Sequence, residues 1–130
     1  MAANEKNPYI PFTSEILDVI RHTKKEYTFR LSYSGEVKPG QFFEVSVPKF
    51  GEAPISVSGI GKDYIDLTLR KVGRVTDEVF EKYKGQTLLL RGPYGNGFDM
   101  DLYRNREVLV IAGGTGVSPV RGVVSAFADE

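Results

Sequence analysis

The 130-residue chain has no cysteine, no tryptophan and a single histidine. Without cysteine it can form no disulfide, no thiolate metal site and no cysteine-held iron–sulfur cluster. One histidine is too few for a His-based zinc centre, and a Ser-His-Asp triad is close to excluded. His22 precedes the polar Thr23-Lys24-Lys25, the setting of a solvated strand end. No excess of either charge exists: Lys plus Arg and Asp plus Glu are both 17. That balance argues against a dedicated nucleic-acid binder or a polybasic membrane anchor. No apolar run reaches the length of a membrane span. The polar stretch from Met1 to Pro11 lacks the apolar centre of a secretion signal. The expectation is therefore a cytoplasmic protein with no nucleic-acid partner and no membrane insertion.

What is present suits one globular domain: 41% hydrophobic residues, 26% charged residues and 14 glycines. Short strand-like runs separated by turn signals fill the first hundred residues. Glu15 to Arg21 and Glu26 to Tyr33 flank the charged turn at His22 to Lys25, and Gly35 to Gly40 reads as a loop. In Gln41 to Val47, Phe43, Val45 and Val47 share one face, and Phe42 is out of place on the polar one. Tyr64 to Arg70 alternates more strictly, Ile65, Leu67 and Leu69 opposing Asp66, Thr68 and Arg70. Thr87 to Leu90 suits a strand buried on both faces. One helix interrupts the strands, with Thr76 as its expected N-cap, Val75, Val79, Phe80 and Tyr83 as its apolar stripe, and Gly85 as its end. Six strands with one helix between the last two predict a mainly β fold, a small antiparallel barrel.

The pattern changes after Asn105. Glu107 to Ala112 is a short apolar run suited to a parallel strand, Gly113-Gly114-Thr115-Gly116 follows, and Ser118 and Pro119 suit the N-cap and first position of a helix. Val120, Val123, Val124 and Phe127 form its stripe. This is the first β-α unit of an α/β domain. The expected division is a tail at 1–13, a barrel at 14–104, and the incomplete start of a second domain at 105–130.

Four segments could carry chemistry. Gly113 to Pro119 places glycines between a strand and a helix start, where backbone N–H groups can meet a phosphate; the same turn also serves as a plain tight connection. Arg70-Lys71-Val72-Gly73-Arg74-Val75-Thr76 puts three cations beside a helix start, fit for a pyrophosphate or for a capped, solvated end. Pro54, inside Gly51 to Ser58, implies an edge or a bulge, with Ser56 and Ser58 facing a heterocycle or water. Gly92-Pro93-Tyr94-Gly95-Asn96-Gly97-Phe98 is either a turn-rich link or a means of setting Tyr94 against a planar cofactor.

In this order, the Ala-Pro-Ile-Ser, Gly-x-x-Thr, Gly-Pro-Tyr-Gly and Gly-Gly-Thr-Gly-Val-x-Pro segments resemble the ferredoxin–NADP reductase superfamily. Within it, Gly40 to Pro48, Gly51 to Ser58 and Arg91 to Gly97 look most like the flavin-binding electron-transfer subunit of anaerobic sulfite reductase. The electron-transfer subunits of a hydrogenase or of dihydroorotate dehydrogenase are the alternative. A non-enzymatic barrel binding module is the rival of another class.

The resemblance implies an FAD-binding barrel followed by an NAD(P)-binding domain, in an NAD(P)H-dependent flavin oxidoreductase subunit. Electrons would pass from NAD(P)H through FAD to iron–sulfur centres, and sulfite would be reduced to sulfide on a partner subunit of a sulfite reductase-like complex. Ser56 matches the superfamily serine near flavin N5. Pro54, Ile55 and Val57 would line the isoalloxazine. Gly73, Val75 and Thr76 would hold the pyrophosphate. Gly114, Thr115 and Gly116 would begin the nucleotide site. Two departures stand out. The superfamily's Arg-x-Tyr/Phe-Ser is Ala53-Pro54-Ile55-Ser56 here, so the arginine and the aromatic are missing, and Arg70 or Arg74 is the expected replacement for the charge. The family's nucleotide domain also runs on to a cysteine cluster, so a 2Fe-2S cluster is expected only in a missing C-terminal part. The 130-residue chain alone is not expected to turn over.

Overall fold

The computed structural model describes residues 7–82 and 86–128. Six strands form a closed barrel: β1 (Phe12–Arg21), β2 (Glu26–Ser32), β3 (Phe42–Val47), β4 (Gly51–Ile60), β5 (Tyr64–Arg70) and β6 (Thr87–Tyr94). Helix α1 (Arg74–Lys82) links β5 to β6, and α2 (Val117–Ala128) follows the barrel. The strand order is β1-β2-β5-β4-β3-β6, closing on β1, and every pairing is antiparallel. Among the described residues no helix is long and apolar enough to cross a membrane.

Alternation sets the core. Phe29 and Leu31 of β2, Phe43 and Val45 of β3, and Ile65, Leu67 and Leu69 of β5 are fully buried together with Leu90 of β6. Each such side chain contributes about 1.5–3 kcal/mol relative to an exposed one. Helix α1 adds Val79 to this cluster and sets Phe80 against Tyr27, ring centroids 4.5 Å apart. Phe42, the apolar residue on the polar face, packs on Tyr94 at 5.7 Å.

Asp66 lies on the outward face, as alternation requires, and is nevertheless buried. The Arg30 guanidinium grips it with a fork, Nε to Oδ1 at 2.9 Å and Nη2 to Oδ2 at 3.0 Å. Arg30 also stacks on Tyr64 at 4.0 Å. The hydrogen bond to Asp66 raises the Arg30 pKa further, against the opposing effect of burial.

Four expectations need correction or a limit. Residues 107–113 carry no secondary structure, with Leu109 and Ile111 about 85% and 84% exposed. A parallel strand needs a neighbour to bond its N–H and C=O groups, and among the described residues no strand pairs with this run. Thr76 is inside α1 and is not its cap: its Oγ1 accepts from the amides of Val72 and Gly73 at 3.0 and 3.1 Å. This is the part played by the third helical residue of a capping box, with Gly73 as N-cap. Ser118 likewise falls in the first turn of α2, which begins one residue earlier. Pro119 is tolerated there because a first-turn N–H has no helical partner. The expected helix end at Tyr83 to Gly85 lies outside the described residues.

Candidate cofactor-binding site

The barrel is complete around its circumference, but its β4–β5 seam is not zipped along its length. The two strands pair through Val57 with Leu67, Gly59 with Asp66 and Ile60 with Ile65, with a register shift between the first two pairs. The preceding stretch of β4, from Gly51 to Ser56, pairs only with β3. Beyond Leu67, β5 pairs only with β2. The strands diverge there and open a cleft of about 310 Å³. Ala53, Pro54, Ile55 and Ser56 form one wall, and Thr68 and Arg70 the other. Val72 and Thr76 close the end beside α1, and Thr115, Ser118 and Pro119 of the α2 start cover the remaining side. Pro54 marks the parting: it offers no N–H, so it suits a strand whose second neighbour has left.

Helix α2 is anchored to the barrel on the far side of this cleft. Arg121 Nη1 donates to the Ser58 carbonyl at 2.8 Å, and Val123 is buried. Gly122 passes so near Pro39 that a Cβ would lie 3.0 Å from the proline ring. The loop before the helix turns at Gly114, whose φ of +57° favours glycine.

Both helix starts thus face one groove. First-turn amides have no helical acceptor, and the helix dipole adds partial positive charge, so each start suits an anionic group. Arg70 lines the cleft and is paired with Glu26 at 2.8 Å. Arg74 is exposed, its guanidinium 6.0 Å from the centre of the Phe50 ring.

The structure brings Pro54, Ile55, Ser56, Arg70, Thr76 and Thr115 together around the cleft. Gly73, Arg74 and Val75 adjoin it at the α1 start without lining it. Val57 is a correction: its side chain belongs to the buried core, because alternation turns it inward when Ser56 faces out. Tyr94 lies two strands away, across β3 from Ser56, where its hydroxyl accepts from Arg91 and donates to the Pro8 carbonyl. Arg91 also clamps Glu52, which bonds Ser46 as well, and these contacts lower the Glu52 pKa to about 2.

A second cavity of about 310 Å³ opens on the other side of α2 and shares Thr68, Thr115 and Ser118 with the cleft. Gly114 and the outward residues His22, Thr28 and Ser58 also line it. Four of these side chains form a chain: His22 Nε2 to Thr28 at 2.6 Å, Thr28 to Thr68 at 2.7 Å, and Thr68 to Ser58 at 2.9 Å. Ser58 donates to the Asp66 carbonyl at 3.1 Å. Each hydroxyl has one proton, so this last bond fixes the direction of all the others. Thr68 donates to Ser58, Thr28 to Thr68, and His22 donates from Nε2. The sequence marks Thr68 only as an outward position and Ser118 only as a cap. No local signal shows that α2 folds back over β4.

No protein-family model matches the chain. The gamma subunit of sulfhydrogenase 1 from Pyrococcus furiosus is 40% identical over 126 residues, 90% of this chain and 43% of that protein. A probable dihydroorotate dehydrogenase B (NAD(+)) electron transfer subunit from Methanothermobacter thermautotrophicus is 36% identical over 93% of this chain and 44% of its own length. The chain therefore spans less than half of these relatives. Among solved structures, the ferredoxin reductase of carbazole 1,9a-dioxygenase superposes on 93% of this chain and 39% of its own, with a TM-score of 0.79 and 24% identity. A Neisseria gonorrhoeae ferredoxin NADP+ reductase with bound FAD and NADP covers 88% of this chain and 50% of its own, at a TM-score of 0.65 and 24% identity. The fold is that of a ferredoxin–NADP reductase barrel. Its relatives are hydrogenase and dihydroorotate dehydrogenase subunits, the alternative set beside the sulfite reductase reading, and the sulfite reductase assignment gives way to it.

Proposed function

We propose that the chain is the flavin-binding portion of an electron-transfer subunit, with residues 14–104 holding FAD and residues 105–130 beginning a domain for NAD(P)H. The observation that carries this reading is the cleft where β4 and β5 part, bounded by two helix starts. Pro54 and Ile55 form an apolar wall for a flat ring, with Ser56 at its reacting edge. The amides at Val75 and Thr76 take the pyrophosphate beside Gly73, with Arg70 or Arg74 supplying the charge absent at Ala53. The Gly73 N–H is itself held by Thr76 Oγ1, and the lack of a side chain at Gly73 leaves room for the pyrophosphate. Tyr94 borders the site across β3, and Gly114, Thr115 and Gly116 meet the nicotinamide nucleotide. When bound, flavin accepts an electron pair as hydride and releases electrons singly. The protein's own work is to seat the ring, neutralise the phosphates and exclude water.

The reading extends to partners: other subunits of a hydrogenase-like or dihydroorotate dehydrogenase-like complex, supported by the names of the relatives, with iron–sulfur centres as acceptors and the cytoplasm as the proposed setting. Titrating the isotope-labelled chain with FAD and following backbone amide shifts tests the site. The largest shifts are expected at residues 53–56, 72–76 and 115–118. Shifts confined to the opposite side of the barrel, around Leu17 and Thr87, would overturn the reading.

A further inference from the structure

Ser118 is about 93% buried as a residue, lines both cavities, and its hydroxyl makes none of the side-chain hydrogen bonds that tie the neighbouring Ser58, Thr68 and Thr28 together. The Ser118 Oγ is not a fully buried atom: the residue is packed, but the hydroxyl opens onto the cavities and is free to bond whatever enters them. Most polar side chains on packed residues find a protein or water partner. Its place adds meaning: it lies in the first turn of a 12-residue helix, beside Thr115, and shares both cavities with Thr68.

The hydroxyl chain defines what this seam offers. The Thr68 proton is committed to Ser58 and one of its lone pairs to Thr28, so a lone pair is all it can present to the cleft. The hydroxyls of Ser118 and Thr115 supply donors; of the α2 amides, that of Val117 is held by the Thr115 carbonyl and Pro119 has none. The seam therefore combines one acceptor with flanking donors. Its complement is a planar ring edge with two carbonyl oxygens about one N–H. The pyrimidine ring of a flavin has that edge; a carboxamide has only one carbonyl.

We propose that Ser118, with Thr68 and Thr115, seats the pyrimidine edge of the bound flavin, making α2 part of the barrel's cofactor site. Ser118 is then a positioning residue that couples flavin binding to the docking of α2. The inference rests on the flavin reading above and is tested separately from it. FAD affinity would be measured by flavin fluorescence with the full chain, the Ser118→Ala variant and the conservative Ser118→Thr variant, alongside amide exchange across residues 115–119 with and without FAD. A neutral hydrogen bond contributes about 0.5–1.5 kcal/mol, so Ser118→Ala is expected to weaken FAD roughly 2- to 12-fold. FAD should slow exchange at 115–119 in the wild-type chain and less in Ser118→Ala, with Ser118→Thr restoring part of both effects. Wild-type affinity in Ser118→Ala, with exchange at 115–119 indifferent to FAD, would overturn the seat while leaving the flavin site standing. No FAD binding by the wild-type chain would overturn the flavin reading and the seat together. A Ser118-dependent response to NADH alone would move the seat to the nicotinamide and overturn its assignment to flavin.

Discussion

Gly73→Asp separates binding from folding, because the two respond in opposite directions. Gly73 is exposed at the α1 start, a Cβ there would meet nothing within 4 Å, and its φ lies outside the left-handed region. Its carbonyl already accepts the Asp77 amide at 2.8 Å, the first bond of the helix. Aspartate is a better N-cap than glycine by a few tenths of a kcal/mol. The variant should therefore melt within about 3 °C of the wild type, or slightly above it. Its effect on a pyrophosphate is the reverse. Two unit charges about 4 Å apart repel by about 1 kcal/mol in water and about 4 kcal/mol at an effective dielectric of 20. Gly73 is exposed, so the lower figure applies, and two phosphate charges give about 2 kcal/mol, or roughly 30-fold weaker FAD binding. Gly73→Asn, of the same size without the charge, should lose only a small part of this. Calorimetric melting with FAD titration measures both quantities. A folded Gly73→Asp protein that binds FAD as tightly as the wild type would refute the phosphate site.

Other outcomes follow from single contacts. Arg70 lies in the cleft and Arg74 beside it, so Arg70→Ala should weaken FAD about ten-fold or more, since a charge-assisted bond contributes about 1.5–3 kcal/mol; normal, salt-insensitive binding in both Arg70→Ala and Arg74→Ala would exclude them as replacements for the arginine missing at Ala53. Glu52 has a folded pKa of about 2, below the ordinary carboxylate value near 4.3, so its contribution is full above about pH 4.3 and disappears as pH falls through about 2. Its side chain is 35% exposed, so screening limits the effect to at most about 1 kcal/mol, and acid titration of Glu52→Gln should show a correspondingly shallower loss. Amide exchange should be fast across Val108 to Ile111 and slow across Phe43 to Val47 and Ile65 to Leu69; equal protection would show that residues 107–112 have a packing surface.

The parts of the fold readable in the sequence are those decided by local pattern. Tyr64 to Arg70 emerges as a strand with its expected bounds because its alternation is strict and its inward residues are all large and apolar. Pro54 signals an interrupted strand partnership, and β5 does part from β4 beside it. Burial imposed from far along the chain is invisible locally. Asp66 reads as a solvated position because its partner Arg30 lies 36 residues away and α2 arrives later still. Thr76 and Ser118 read as caps because both suit caps, yet in each case the helix starts before the hydroxyl. Residues 107–112 have the composition of a buried strand, and composition alone cannot supply the neighbour that a strand requires.

The most direct test of the central claim is the visible absorption spectrum of the purified chain after incubation with FAD and removal of free cofactor by gel filtration. The account predicts flavin absorbance co-eluting with the protein at one FAD per chain, lost in Gly73→Asp. A correctly folded chain that elutes with no visible absorbance would contradict it.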